Sequence, residues 1–255
     1  MKYLAISSTQ RTDGKPQNAR YQFSNGISIP KGTTKLRLKN FEIFNSIYTI
    51  DQYNNRLDFN YNGTIYNTTL TNGVYNITEL ITHINNQMAA SLGSSDISLS
   101  YDSTKNKVSV NSTLNSSLLF SSSDSNNPAY LLGFLDSTNL KDPIDTPYGT
   151  TYEANACVNL NQVTNIFISI EINDKAYPVY SIGNNFKSTF IVPFDSTSGQ
   201  LSTYGEFGDF PQEIQLEEDL NKIMNMSISL SYQNPRGVKN LDLQGTNYFI
   251  CFEFV

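Results

Sequence analysis

One histidine, two cysteines and scattered carboxylates are the chain's whole stock for acid–base or nucleophilic chemistry. Any Ser-His-Asp or Cys-His mechanism would have to run through His83, because the nucleophile needs a base and the base needs an orienting partner. The neighbouring pattern argues against that role. Ile77, Leu80, Ile81, Ile84 and Met88 fall on one face at helical spacing, which puts His83 on the opposite, polar face and predicts a solvent-exposed imidazole. Cys157 and Cys251 are far apart in the chain and have no ligands clustered near them as a zinc site requires, so both read as small buried apolar residues. Asp142 and Asp145, flanked by Pro143 and Pro147, are the carboxylates to consider as an acid/base pair; a proline-rich turn with solvated charges explains them more simply. No GxxxxGK[ST] loop and no GxGxxG is present. The expectation is a protein that acts by contact, not an enzyme, with no catalytic residue, no cofactor and no metal site.

The elements that would position any site are mostly strands. Lys35-Leu36-Arg37-Leu38-Lys39 alternates charged and apolar residues, the mark of a half-buried strand, and runs into Phe41–Phe44. Arg56–Tyr61 and Thr64–Leu70 flank Asn62-Gly63, a pair that suits a type I′ hairpin because both positions need positive φ. Ile97–Tyr101 and Lys107–Val110 form a second hairpin. Later strands are expected over Asn165–Ile172, Phe186–Val192, Ile223–Tyr232 and Asn247–Val255. The last is apolar on both faces and reads as a central strand. Asn234-Pro235-Arg236-Gly237 carries turn chemistry. One good helix is predicted from Ile77 onward, capped by Asn76 with Glu79 reaching back. A short helical turn over Ala129–Leu132 would end at Gly133 in the left-handed region. No linker that would separate two cores is visible. Irregularly spaced strands with long polar loops fit a single jelly-roll β-sandwich with a helix-containing insertion better than a propeller or an up-and-down barrel.

Composition narrows the class further. Of 255 residues, 16% are charged and 38% apolar, against about 25% and 45–50% in an average domain; 31 Asn and 29 Ser fill the gap. Aromatics at 12% argue against disorder. Two cysteines cannot make a disulfide scaffold, no run approaches a membrane span of about 18 apolar residues, and the first residues lack the apolar core of a signal peptide. The net charge of −6 hides an asymmetry. Residues 1–40 hold eight bases and one acid, a net +7, which leaves −13 for the remainder. The reading is a basic N-terminal arm over residues 1–20, with Lys2, Arg11, Lys15 and Arg20 as contacts to an acidic partner, ahead of a jelly-roll domain over 21–255. The acidic stretch Glu206, Asp209, Glu213, Glu217, Glu218 and Asp219 reads as a solvated loop or strand edge. Tyr204, Phe207 and Phe210 lie in a glycine-rich stretch and are expected as exposed loop contacts.

Several segments in order carry a family resemblance. They are Phe41-Glu42-Ile43-Phe44-Asn45-Ser46-Ile47-Tyr48-Thr49-Ile50, Asn54–Phe59, Thr69–Ile77 with its Gly-x-Tyr before the helix, Glu79–Asn85, Ser100–Val108, Leu131-Leu132-Gly133-Phe134 and Leu241–Phe249. Together, over most of residues 35–255, the chain resembles the penton (minor capsid) proteins of virophages and Polinton-like viruses. That resemblance implies a single jelly roll, five copies of which ring each fivefold vertex of an icosahedral capsid beside trimers of a double jelly-roll major capsid protein. It implies location in the virion, assembly inside the host cell without secretion, and no enzymatic activity. With the arm facing the capsid interior, genomic DNA or neighbouring capsid subunits become the expected partners of Lys2, Arg11, Lys15 and Arg20. The main alternative is a receptor- or glycan-binding jelly roll such as a spike head, for which Tyr204, Phe207 and Phe210 would serve. A sandwich hydrolase using carboxylates and a cement protein are further rivals.

Overall fold

The computed structural model describes the chain except residues 1, 121–125, 139–141, 162, 183–185, 195–199, 206–211, 219 and 235–236. It divides into two compact units: Met1–Ile47 with Val163–Val255, and Tyr48–Gln162. The chain opens with β1 (Tyr3–Ser7), β2 (Asp13–Lys15), β3 (Asn18–Ser28) and β4 (Lys35–Phe44). The inserted unit holds β5 (Arg56–Tyr61), β6 (Thr64–Thr69), α1 (Ile77–Leu92), β7 (Ile97–Asp102), β8 (Lys107–Leu119), α2 (Ala129–Leu132) and β9 (Gly149–Glu153). The first unit then resumes with β10 (Asn165–Ile172), β11 (Lys175–Ala176), β12 (Tyr180–Ile182), β13 (Phe186–Ser188) and β14 (Phe190–Pro193). It ends with β15 (Leu201–Gly205), β16 (Glu213–Gln215), β17 (Lys222–Asn234), β18 (Gly237–Asn240) and β19 (Tyr248–Phe254).

In the first unit one sheet runs β1-β19-β4-β15, with β16 also on β4; the other runs β11-β10-β17-β3-β2, with β14 on β10 and β18 on β17. Strands adjacent in a sheet are mostly distant in sequence, as in a jelly roll. Period-2 patterning drives the sandwich: Leu36 and Leu38 of β4 point inward while Lys35, Arg37 and Lys39 stay at the surface. Leu4, Ile6, Phe41, Ile250 and Phe252 of one sheet join Tyr21, Ile166, Ile168, Ile170, Ile228 and Leu230 of the other in one buried cluster. Each such side chain contributes about 1.5–3 kcal/mol on burial. Phe190 and Phe252 meet across the two sheets with ring centroids 6.1 Å apart. As expected, β19 is central, flanked by β1 and β4.

The inserted unit has its own cluster, built from Leu57, Phe59, Leu99, Val108 and Leu118 of the sheet β6-β5-β8-β7 and Leu80, Ile84 and Met88 of α1. The expected cap is present in both directions: the Glu79 N–H donates to Asn76 Oδ1 at 3.0 Å, and the Asn76 N–H donates to Glu79 Oε2 at 2.9 Å. Asn62 and Gly63 both have positive φ, 50° and 83°, and Gly133 ends α2 at φ 83°.

Three expectations are corrected. The chain has two cores, not one, because an insertion between β4 and β10 needs no linker of distinctive composition. The strand expected over Phe186–Val192 is broken at Thr189, where β13 and β14 belong to different sheets. The boundary expected after residue 20 falls inside β3, and residues 3–7 are a core strand with Leu4 and Ile6 buried. Residues 1–20 are thus woven into both sheets of the sandwich, because burying Leu4, Ile6 and Ala19 outweighs the pull of their charged neighbours toward solvent.

Candidate assembly surface

The outer face of the β1-β19-β4-β15 sheet carries the densest charge arrangement among the described residues. Glu253, on β19, is nearly buried. Lys2 approaches its Oε1 at 2.8 Å, and Lys39 and Arg37 approach its Oε2 at 3.6 and 3.8 Å. Arg37 and Lys39, two apart on β4, share the strand's outer side, and both reach this one oxygen. The β4–β19 register slips between Cys251 and Phe252, leaving Lys39 as the extra residue. One strand further on, Glu213 of β16 pairs with Lys35 and, at 3.1 Å, with Arg37. Four cations thus face two carboxylates. The hydrogen bond from Lys2, then the charges of Lys2, Lys39 and Arg37, hold the Glu253 carboxyl below its usual value. Glu213 is held down likewise, first by Lys35 and also by Arg37. The opposite end of the face is apolar: Phe44 and Leu201 lie directly across the β4–β15 ladder, and both are exposed.

The four predicted arm cations do not form one cluster. Lys2 sits on the charged face just described. Arg11 folds back on its own turn, donating from Nη1 to the Ser8 carbonyl at 2.7 Å and from Nε to the Gly14 carbonyl at 2.8 Å. Lys15 is exposed at the end of β2. Arg20, on β3, pairs with Asp174 at 3.0 Å, both side chains being solvent-exposed.

Tyr204 is not an exposed loop residue. It lies on β15, packs against the core, and its hydroxyl accepts from Gln212 Nε2 at 3.3 Å. Phe207 and Phe210 fall outside the described residues, as do Glu206, Asp209 and Asp219 of the acidic stretch and Pro235-Arg236 of the expected turn. Glu213 and Glu217 of that stretch are paired, the latter with Lys175. Both cysteines are free; Cys157 is exposed and Cys251 half-buried, so neither is the buried apolar residue expected. His83 is half-buried rather than solvent-exposed. The backbone carbonyl of Asp142 accepts from the Asp136 N–H at 2.9 Å, a turn contact. Among the described residues, no three His, Cys, Asp or Glu side chains gather where a metal ion could be held. A recess of about 430 Å³ between Lys175–Val179 and Ile214–Glu217 is lined mainly by Tyr177, Val179, Ile214 and Leu216, with the Lys175–Glu217 ion pair at its ends.

The chain is thus a two-sheet jelly roll with a mixed sheet-and-helix insertion between β4 and β10 and with charge arrayed on one outer sheet face. Two solved structures are similar to the chain over nearly its full length. The mavirus penton protein matches 98% of this chain with 97% of its own, at a TM-score of 0.52 and 11% sequence identity. A chain of the Sputnik virophage structure matches 100% of this chain with 98% of its own, at a TM-score of 0.45 and 14% identity. No family model and no curated protein matches the sequence. The mavirus likeness spans both units and establishes the fold as that of a jelly-roll penton protein.

Proposed function

We propose that the chain is a structural virion protein, a penton, five copies of which close an icosahedral fivefold vertex beside trimers of a double jelly-roll major capsid protein. The observation that carries this reading is the near-full-length likeness to the mavirus penton protein, insertion included. The role is one of contact, not catalysis. The outer face of the β1-β19-β4-β15 sheet, with exposed Phe44 and Leu201 at one end and the Lys2, Lys35, Arg37 and Lys39 row at the other, is a surface for neighbouring copies or the major capsid protein. Of the four N-terminal cations, Lys2 belongs to that face, whereas Arg11, Lys15 and Arg20, around β2 and β3 of the other sheet, are the ones that face the capsid interior and meet genomic DNA or adjoining subunits. The Arg20–Asp174 pair supports this in one respect: both side chains are solvent-exposed, and pairs of that kind are worth about 0–1 kcal/mol, so a phosphate can replace the carboxylate at little cost.

The mass of the purified chain, alone and mixed with its major capsid protein, tests the assembly: five copies are expected, and a stable trimer or a persistent monomer in the mixture defeats it. DNA contact is tested by neutralising the four cations together (Lys2→Gln, Arg11→Gln, Lys15→Gln, Arg20→Gln), which leaves β1 in place. Deleting residues 1–20 would instead remove Leu4 and Ile6 from the core. Binding should weaken with salt in the parent chain and less steeply in the variant.

A further inference from the structure

His83 is the chain's only histidine, and it does a job its place on α1 does not announce. The Thr71 N–H donates to His83 Nε2 at 2.9 Å. The imidazole stacks on Tyr75, with centroids 5.2 Å apart and planes at 21°. The Tyr75 hydroxyl in turn donates to the Thr71 carbonyl at 2.9 Å. Both backbone polar groups of Thr71 are therefore held by two stacked rings. The far end of the segment is tied separately: Ile50 and Gly73 exchange backbone bonds of 3.0 and 2.9 Å, and the Thr49 hydroxyl accepts from the Tyr75 N–H at 3.1 Å. Between these anchors Val74 is exposed.

A ring nitrogen accepts a hydrogen bond only when it carries no proton, so the Thr71 contact requires neutral His83 with its hydrogen on Nδ1. Protonation at Nε2 would set one N–H against another. The Tyr75 stack does not resist this step, because an aromatic face also attracts a cation. We propose that His83 is an acid-operated latch: the neutral ring fastens residues 71–75 of the inserted unit to α1, and protonation releases them at Thr71.

The surroundings set its range. On α1 the one other titratable group is Glu79, a turn earlier, whose Oε2 is occupied by the Asn76 N–H. On the segment itself it is Tyr75. β6 supplies Tyr66, stacked on Phe59. β7 supplies Tyr101, which donates to Asn106, and Asp102, which accepts from the Thr104 and Lys105 N–H groups. No base stands in these elements, and burial lowers the imidazole below its ordinary 6.5. The folded state thus binds this proton less well than the unfolded chain. The latch is fully closed above pH 6.5 and opens as pH falls through the lower, folded value. Acidification would loosen the segment at Thr71, ahead of the anchors at Gly73 and Tyr75, while leaving the sheet and helix intact.

The full chain tests this directly, since its lone imidazole gives unambiguous NMR signals. His83 should titrate below 6.5. Exchange of the Thr71 amide, corrected for its intrinsic pH dependence, should accelerate as pH falls from 6.5 toward that midpoint, by up to about tenfold per pH unit, and level off below it. The Leu80 amide, bonded within the capped end of α1, should not follow. In His83→Gln the amide oxygen takes the Nε2 position and cannot titrate, so Thr71 should stay protected across the range. A midpoint at or above 6.5, a Thr71 amide indifferent to protonation, a Leu80 amide that opens in step, or the same pH response in the glutamine variant would each overturn the latch. If the variant does not fold, the parent's titration and its two amides still decide.

Discussion

The sandwich has one polar bolt through its apolar centre, and it can be weighed. Tyr21 of β3 and Tyr248 of β19 belong to opposite sheets; both are almost wholly buried, and their hydroxyls lie 3.1 Å apart. Burial, first of all, drives both phenols to ionise above their usual value, so each acts as a neutral donor or acceptor at neutral pH. Replacing either by Phe keeps the ring and nearly all the buried apolar area, including the contact of Tyr248 with Phe41 at 5.9 Å. What changes is the hydrogen bond. One substitution strands the other hydroxyl in the core, at about 1–3 kcal/mol. Replacing both removes donor and acceptor together and should cost far less than two such penalties, close to nothing if the rings repack in place. Tyr21→Phe, Tyr248→Phe and the double variant form a thermodynamic cycle whose coupling approaches the sum of the two single penalties, about 2–6 kcal/mol, when the double change is nearly neutral. Because the chain has two cores, the readout should be local to the sandwich: hydrogen exchange of the β19 amides, where each single change should speed exchange by about five- to 150-fold and the double change should largely restore protection. Costs that simply add in the double variant would refute the reasoning, since they would mean the two hydroxyls do not satisfy each other.

Two further outcomes follow from the geometry. Gly133→Ala should destabilise the inserted unit by at least about 2 kcal/mol, because φ there is +83° and a Cβ would lie 2.2 Å from the Ala156 carbonyl oxygen. Gly93→Ala, at φ +79° with open space around it, should cost only the backbone strain of about 1 kcal/mol, and equal losses in thermal melts would contradict the packing argument. Glu253→Gln should melt earlier than the parent at neutral pH and converge with it in acid. The depressed Glu253 carboxyl contributes stability above its ordinary value of 4.5, and that contribution vanishes as pH falls through the folded value. A melting gap that stays constant from pH 7 to pH 3 would count against it.

The elements that local chemistry specifies could be read from the chain, and those specified by distant partners could not. α1 announces itself through Asn76, Glu79 and a period-3.6 apolar face; the β5–β6 hairpin does so through Asn62-Gly63; β19 does so through an apolar run interrupted by Glu253 alone. β1 and β3 gave weaker signals. Tyr3–Ser7 offers only Leu4 and Ile6 at alternate positions, and Asn18–Ser28 offers Ala19 and Tyr21 among polar neighbours, so charge dominated the reading of residues 1–20. His83 was assigned to the polar face correctly by periodicity, but its partner Thr71 reaches it from the loop ahead of the helix, which no helical wheel displays.

The charge asymmetry is the instructive case. Eight N-terminal bases against one acid suggested cations held out for another molecule. Glu253 was the clue pointing the other way: a lone carboxylate in the apolar run Tyr248–Val255 is costly to bury unless cations come to it. In the fold, Lys2, Arg37 and Lys39 converge on Glu253, while Lys35 and Arg37 meet Glu213. Four of the eight bases therefore stitch β1, β4, β16 and β19 together, across strands that are far apart in sequence. With Glu42 also on the outer side of β4, the excess on that face is four cations to three carboxylates among the described residues, smaller than the linear count implies and fixed in place by the sheet. A partner reading this surface would meet a row of cations held by the sheet rather than a flexible basic tail, so recognition would depend on the register of β4, with its bulge at Lys39, as much as on net charge.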